Sequence, residues 1–378
     1  MKLALVYDRI NKFGGAERIL SVLHQLWPRA PLYTAVYHPA TASWADTIKV
    51  FPSWLNHWPL AKTHHELYPW LTPLAFESFN FDQFDVVISI TSAEAKAIIT
   101  KPKTLHLCYC LTPTRYLWSH QSAYQHSPGL GIFNRLGRLV FKLTKNYLQQ
   151  FDFIASQRPD HYFAISQTVK NRVKNYYHQN SEIIYPPVDF KKFSQIQPKA
   201  DRPLAEIADY FLVVSRLTPY KNVDLVINAC NQLQQPLVIV GRGREESNLK
   251  NMAGPTIKFV GLINDQQLIS LYQHSKALIM PQEEDFGIVS LESQAAGRPV
   301  IALKKGGATE TVIAGQTGLF FSQPTVDSLL KTMKQFNSFS WNQPLIKNQA
   351  QKFDNKIFKQ KFLKAVEAEW INHQKNFP

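Results

Sequence analysis

The feature that most constrains the fold of this chain is an alternation that occurs twice along it. Short apolar runs, each closed by Gly, Ser or Pro, are separated by segments of helical period. That grammar is the sequence sign of parallel α/β sheets. In the first half, residues 3–7, 85–90 and 105–110 read as strands, with 162–165 and 182–185 as weaker candidates. A helix is expected to open near Gly14-Gly15-Ala16-Glu17 and to run through Leu26, with Leu20, Leu23 and Leu26 on its buried side. Pro186-Pro187 stops regular structure, and the polar stretch after it reads as a linker. The second half offers five strands, at 210–215, 236–241, 257–261, 277–281 and 299–303, spaced by helices as in a doubly wound domain. A last helical pattern, 355–373, carries Phe358, Phe362, Val366 and Trp370 at four-residue spacing.

With 378 residues the chain is too long for one ordinary core. The expected division is 1–188 as a first Rossmann-like domain, 189–203 as linker, 204–354 as a second such domain, and 355–378 as a terminal helix. No window reaches the roughly 18 to 20 apolar residues of a spanning helix. The opening strand is too short for a signal-peptide apolar region, so the expected compartment is the cytoplasm. Cys108, Cys110 and Cys230 make no disulfide framework or metal spacing and read as small buried hydrophobes. The formal charge is +14, and residues 95–151 contain no acid but eight bases: Lys96, Lys101, Lys103, Arg115, Arg135, Arg138, Lys142 and Lys145. A field of that sign favours phosphates, on nucleotides, nucleic acid or anionic lipid, unless it is simply a solvated surface. Within it, residues 133–148 combine Arg135, Arg138, Lys142 and Lys145 with leucines, Val140 and Phe141. That segment suits an anionic bilayer or packing against the first domain.

The richest chemistry lies between Pro281 and Pro299. A strand ends, a loop carries Glu284, and a helix begins near Phe286-Gly287, with Glu292 on its second turn and Gly297 at its C-terminal end. The helix start aims free N–H groups and the positive dipole end at the crevice above the sheet, a place suited to a diphosphate. Carboxylates match vicinal hydroxyls, so Glu284 and Glu292 can hold two diols, one on a sugar and one on a ribose. Arg216 and Lys221, after another strand, supply a guanidinium fork and an ammonium point charge to the same crevice. Gly241-Arg242-Gly243 and Lys304-Lys305-Gly306-Gly307 end two further strands beside it.

Glu284-x7-Glu292 with Phe286-Gly287 and Ile288, Ala296 to Ala302, Gly306-Gly307 with Glu310, and Gly315 to Gly318 together resemble the donor site of family 4 retaining glycosyltransferases. The resemblance implies the GT-B fold, two Rossmann-like domains facing a cleft with the last helix crossing back. It implies Glu292 on the ribose, Glu284 on the transferred sugar, Arg216 and Lys221 on the leaving diphosphate, and Leu262 beside the base. Gly14 and Gly15 would touch the donor from the opposite domain, unless they form a simple turn. The first half is similar to a narrower branch, bacterial mannosyltransferases of polysaccharide assembly, through Gly14 to Arg18, Cys108 to Trp118 and Ile184 to Asp189. That branch usually reads Tyr-Cys-His-Thr-Pro-Met-Arg-Tyr, where this chain has Leu111 for His and Thr114 for Met.

The implied reaction is metal-independent, cofactor-free and retaining: a hexose, mannose from GDP-mannose first and UDP-hexoses second, passes to a lipid-linked saccharide or polysaccharide. Arg115, Tyr116 and Trp118 are the acceptor-side candidates, with core packing as the competing role for the two rings. The location implied is cytoplasmic and peripheral on the inner membrane face. Two rivals share the architecture, a nucleotide-sugar epimerase or hydrolase and a non-catalytic nucleotide-sugar binder. Nucleic-acid binding rests on the basic run alone, and no nucleic-acid partner is expected.

Overall fold

A computed structural model of the chain describes residues 1–119, 134–195 and 209–377. It divides into two compact units, Met1–Tyr185 with Phe358–Pro378, and Pro186–Ile357.

The first unit holds a seven-stranded sheet. In chain order its strands are β1 (Leu3–Tyr7), β2 (Leu32–Thr34), β3 (Val50–Pro52), β4 (Val86–Thr91), β5 (Leu105–Cys110), β6 (His161–Ala164) and β7 (Glu182–Ile183). They lie in the order β3-β2-β1-β4-β5-β6-β7, and every pairing is parallel. β1, β4 and β5 are buried along their whole length, as expected of parallel strands covered on both faces. Helix Gly15–Leu26 turns Ile19, Leu20, Val22 and Leu23 inward; Leu20 and Leu23 are buried as expected, while Leu26, on the last turn, is half-buried. The last helix, Asn355–Asn376, buries Phe358, Phe362 and Val366, and the Phe362 ring meets Tyr109 of β5 edge-on at 5.2 Å. Cys108 and Cys110 are buried and free, as is Cys230 of the second unit, and burial pushes the Cys108 and Cys230 thiols up to about 12.

The second unit holds six parallel strands: β8 (Phe211–Val214), β9 (Leu237–Val240), β10 (Ile257–Gly261), β11 (Ala277–Met280), β12 (Val300–Leu303) and β13 (Gly318–Phe321). Their order is β10-β9-β8-β11-β12-β13, so the winding reverses between β8 and β11. Its core is mostly aliphatic with Phe211, Phe321 and Phe336 among it, built from the inner faces of β8, β9, β11 and β12 and from Val223, Val226, Ile227 and Cys230 of helix Val223–Leu233. The polar stretch expected to link the halves begins with structure. Asp189 accepts from the Lys192 N–H at 3.0 Å and caps a short helix, Phe190–Ser194, whose Phe193 is buried against Tyr272. Both halves are α/β with Rossmann-like winding.

Candidate functional site

In an open parallel sheet the crevice forms outside the carboxyl ends of the two strands between which the winding reverses. In the second unit those strands are β8 and β11. The chain leaving β8 carries Arg216 and Lys221, and the chain leaving β11 carries Gln282 and Glu284. These groups meet. Lys221 Nζ is paired with Glu284 Oε1, and the Gln282 amide donates to the same oxygen at 2.6 Å. Tyr220 ties the two cations together, since its hydroxyl accepts from Arg216 Nη2 at 2.9 Å and its ring lies 5.2 Å from Lys221 Nζ. Lys221 is buried and Arg216 is exposed, so one cation is held inside the crevice and the other stands at its mouth.

Two glycines shape the wall. Gly287, at φ 85°, occupies the left-handed region as the N-cap of helix Ile288–Ala295, and no side chain caps that helix start. The first N–H groups of a helix lack intrahelical partners, so this end is a ready acceptor of negative charge. Gly307 is needed for closeness instead: a Cβ there would stand 2.3 Å from Phe286 Cα. Its absence lets the loop after β12 dock on the Glu284 loop, where the Gly307 N–H donates to the Glu284 carbonyl at 2.8 Å. Phe286 itself is buried, 5.9 Å from the Phe353 ring, so it presents backbone to the crevice, and Ile288 is half-buried at the helix start. Glu292 is 2% exposed and one of its oxygens accepts from the Tyr272 hydroxyl at 2.9 Å. Leu262, just past β10, is 71% exposed.

The remaining candidates lie in the first unit. Gly14 and Gly15 start helix Gly15–Leu26, and the carboxylate beneath them belongs to Glu17, which is buried and accepts from the Tyr7 hydroxyl at 2.6 Å. That helix start therefore already has an anion beside it. Tyr116 donates to Glu94 at 2.6 Å; Trp118 donates to Asp152 at 2.7 Å and stacks on Tyr176 with centroids 5.3 Å apart. Arg115, just before Tyr116, is half-buried. Thr114 bonds Asp152 at 2.7 Å, and Leu111, standing where the branch has His, is buried.

Asp152 gathers this region. It accepts from Lys96 at 2.5 Å, from Thr114, from Trp118 and, at 2.8 Å, from Tyr177. Lys96 is 1% exposed, so this member of the basic run is a buried ion-pair partner and offers no phosphate site. Lys101 is paired with Asp82 on the surface at 2.5 Å. Of the run's apolar-basic segment, residues 134 onward form the start of helix Asn134–Ala155, with Lys142 exposed and Lys145 half-buried; residue 133 and the side chains of 134–141 and 143 lie outside the described residues. Glu94 is half-buried after β4, and burial together with the Asp8 charge pushes its carboxyl up to about 7.

Sequence reasoning missed Gln282, Tyr272, Tyr220, Asp152 and Glu94. Gln282 and Tyr220 stood inside motifs already singled out, two residues from Glu284 and one from Lys221, so a search for polar neighbours would have found them. Tyr272 and Asp152 reach their partners across 20 and 56 residues, a distance that no local pattern encodes.

Residues 196–353 match the family described as glycosyl transferases group 1. A GDP-mannose-dependent monoacylated alpha-(1-6)-phosphatidylinositol monomannoside mannosyltransferase of Corynebacterium glutamicum is 35% identical over 44% of this chain and 49% of its own. The O-antigen chain mannosyltransferase C of Escherichia coli is 26% identical over 47% of this chain and 48% of its own. The chain thus spans about half the length of these curated relatives. Among solved structures, Anabaena HepE in complex with UDP-glucose superimposes with a TM-score of 0.73 at 18% identity, covering 97% of this chain and 99% of the other. Sucrose-phosphate synthase from Thermosynechococcus elongatus gives a TM-score of 0.74 at 14% identity, over 98% and 100%. The match to glycosyl transferases group 1 over residues 196–353 lies on a chain whose two parallel α/β halves have the GT-B fold.

Proposed function

We propose that the chain is a family 4 retaining hexosyltransferase that moves mannose from GDP-mannose to a lipid-linked saccharide or polysaccharide. The observation that carries this reading is the meeting of Lys221 and Glu284 across the β8/β11 crevice, beside an uncapped helix start. A nucleotide sugar needs a cation and a hydroxyl acceptor at one place, the junction of its phosphate and its sugar. Glu292, fixed by Tyr272, then takes the ribose hydroxyls, and Leu262 covers the base. The mannosyltransferase names of two relatives support the choice of sugar.

In the reaction the bond between the sugar C1 and the phosphate oxygen breaks, and its electron pair leaves on the diphosphate. Arg216, Lys221 and the helix start neutralise that charge. The acceptor hydroxyl attacks C1 on the same face, and its proton passes to the departing phosphate oxygen, so configuration is kept and charges balance. Side-chain cations supply the positive charge in this reading, without a metal or other cofactor. Of these groups Lys221 is buried, and a buried cation preorganised where charge develops acts strongly. The cytoplasm and the inner membrane face are the proposed location. No helix among the described residues is long and apolar enough to cross a membrane.

Titration calorimetry against GDP, GDP-mannose, UDP and UDP-glucose tests the donor. Binding of GDP-mannose is expected, and Glu292→Ala should weaken GDP itself, whereas Glu284→Ala should keep GDP and lose transfer. Failure to bind any of the four ligands would remove the proposal.

A further inference from the structure

Gln282, the second residue past β11, carries a penalty that folding alone does not explain. It is 3% exposed, and its side-chain NH2 donates to Glu284 Oε1 at 2.6 Å. An ionised carboxylate only accepts, so the nitrogen must face it and the orientation of the amide is fixed. The carbonyl Oε1 is thereby turned away, and it is buried with no hydrogen-bond partner among the described residues. A buried polar atom without a partner is disfavoured, and a native one needs a reason. An apolar side chain of the same shape would avoid it. What only the amide can do is hold Glu284.

Glu284 Oε1 has a second donor, the Lys221 ammonium. The two donors differ in where they stand and in what draws them away. Lys221 lies on the chain after β8, carries charge and answers the diphosphate in the reaction proposed above. Gln282 is neutral and buried on the same loop as Glu284, so a phosphate in the crevice does not draw it. That loop is anchored on both sides: the Gly307 N–H donates to the Glu284 carbonyl at 2.8 Å, and Asn222 donates to the Pro281 carbonyl at 3.4 Å. With the backbone held, the side-chain torsions of Glu284 are what remains to be fixed. When Lys221 turns to the diphosphate, Glu284 loses the ammonium while only 17% of its side chain meets solvent. A carboxylate in such a place is kept ionised and aimed by the hydrogen-bond donors that stay with it. Gln282 is one that stays.

We infer that Gln282 is a positioning residue: its amide keeps Glu284 ionised and directed at the donor sugar after Lys221 has passed to the diphosphate. The inference rests on the donor reading above and deepens it, because it adds the group that lets the ion pair open without loss of the sugar contact.

Titration calorimetry with GDP and GDP-mannose, and with UDP and UDP-glucose, reads the ratio of sugar-nucleotide to nucleotide affinity. Gln282→Met keeps the unbranched shape and removes both the donor and the orphaned carbonyl, so its thermal transition should be no lower than that of wild type. Its ratio should fall about tenfold, the scale of one hydrogen bond to a charged group, with the nucleotide itself held within about threefold. In a Glu284→Ala background the same change should leave the ratio within about twofold, because Gln282 acts through that carboxylate. A general loosening of the loop would instead weaken nucleotide and sugar nucleotide alike, leaving the ratio unchanged, or would lower the ratio in both backgrounds. Either result overturns the inference, and if wild type still binds a sugar nucleotide the donor reading stands without it. Gln282→Leu carries the same expectations should the methionine variant fail to fold. Wild type that binds none of the four ligands removes the donor reading and this inference with it.

Discussion

The two sheets reverse their winding at corresponding places, β1/β4 in the first unit and β8/β11 in the second, and each reversal is bridged by side chains of different chemistry. Across β1/β4 the bridge is Asp8, which accepts from Thr91 Oγ1 at 2.7 Å, from the Ser92 N–H at 2.7 Å and hydroxyl at 3.2 Å, and from the Ala95 N–H at 2.9 Å. Across β8/β11 it is Lys221 with Glu284. A carboxylate that takes backbone donors locks a loop and leaves little for a ligand. A pair of opposite charges can instead be parted by a ligand that carries both a phosphate and hydroxyls. The same topology thus yields a scaffold in one unit and a site in the other, and the bridging groups decide which. Asp152 extends the scaffold, because its four donors, Lys96 after β4, Thr114 and Trp118 after β5 and Tyr177 after β6, are all pinned to helix Asn134–Ala155.

The largest expected effect breaks the scaffold. Asp152→Ala leaves the Lys96 ammonium buried without its counter-charge, a change that costs about 3–5 kcal/mol. Denaturation followed by circular dichroism should show the loss. Nucleotide diphosphate affinity, measured below the lowered transition, should stay within about twofold of wild type. Equal damage to both would mean that the two edges do not divide scaffold from site.

Lys221→Ala attacks the other edge. Transfer should fall about a hundredfold to a thousandfold, equivalent to about 2.7–4 kcal/mol of transition-state stabilisation. The thermal transition should move much less than in Asp152→Ala, which turns the contrast into a double dissociation. Gly307→Ala should fall between the two kinds of effect. The added methyl cannot fit against the Phe286 backbone, so the loop must move, at about 1–3 kcal/mol of stability. Because that loop docks on the Glu284 carbonyl, transfer should fall as well, with GDP affinity less affected.

How much of this was legible beforehand differs between the two kinds of structure. The strand spans of β1, β5 and β10 agree with the sequence reading to the residue; β1 and β5 are buried throughout, whereas β10 lies at the sheet edge with only Ile257 buried and was legible because Gly254-Pro255 and Gly261 bound it. β2, β3 and β13 were missed. Leu32–Thr34 and Val50–Pro52 are three residues each and lie next to or include proline, so they show no alternation, and they exist because a neighbouring strand offers a ladder. β13 opens with Gly318, which read as the end of a loop signature. At the site, Lys221, Glu284 and Glu292 stood out as residue types in local motifs. That Lys221 and Glu284 pair with each other depends on the β8/β11 neighbourhood, which only folding creates. The basic run misled for the same reason: Lys96 finds Asp152, the first acid after 56 residues, and is buried with it.

The smallest expected effect sharpens the comparison through pH. Glu94 sits beside the Asp8 bridge, hydrogen-bonded by Tyr116 and near Arg9 and Lys96. Its carboxyl is pushed from an ordinary 4.5 up to about 7, so between those values the folded chain keeps a proton that the unfolded chain has lost. Raising the pH through that window therefore favours unfolding, and stability present below about 4.5 is lost as pH passes about 7. For a half-buried group the loss is about 1 kcal/mol. His65 and His106, pushed down to about 2 and about 3 by burial, act in the opposite direction, since unfolding below pH 6.5 takes up protons. Glu94→Gln keeps the acceptor for Tyr116 and leaves both histidines in place, so their contribution cancels in the difference between the two proteins. The variant should gain on wild type steadily from about pH 4.5 to about pH 7 in denaturation curves. A difference that is flat with pH would mean that Glu94 is ionised throughout, and that the first edge tolerates a second negative charge beside Asp8.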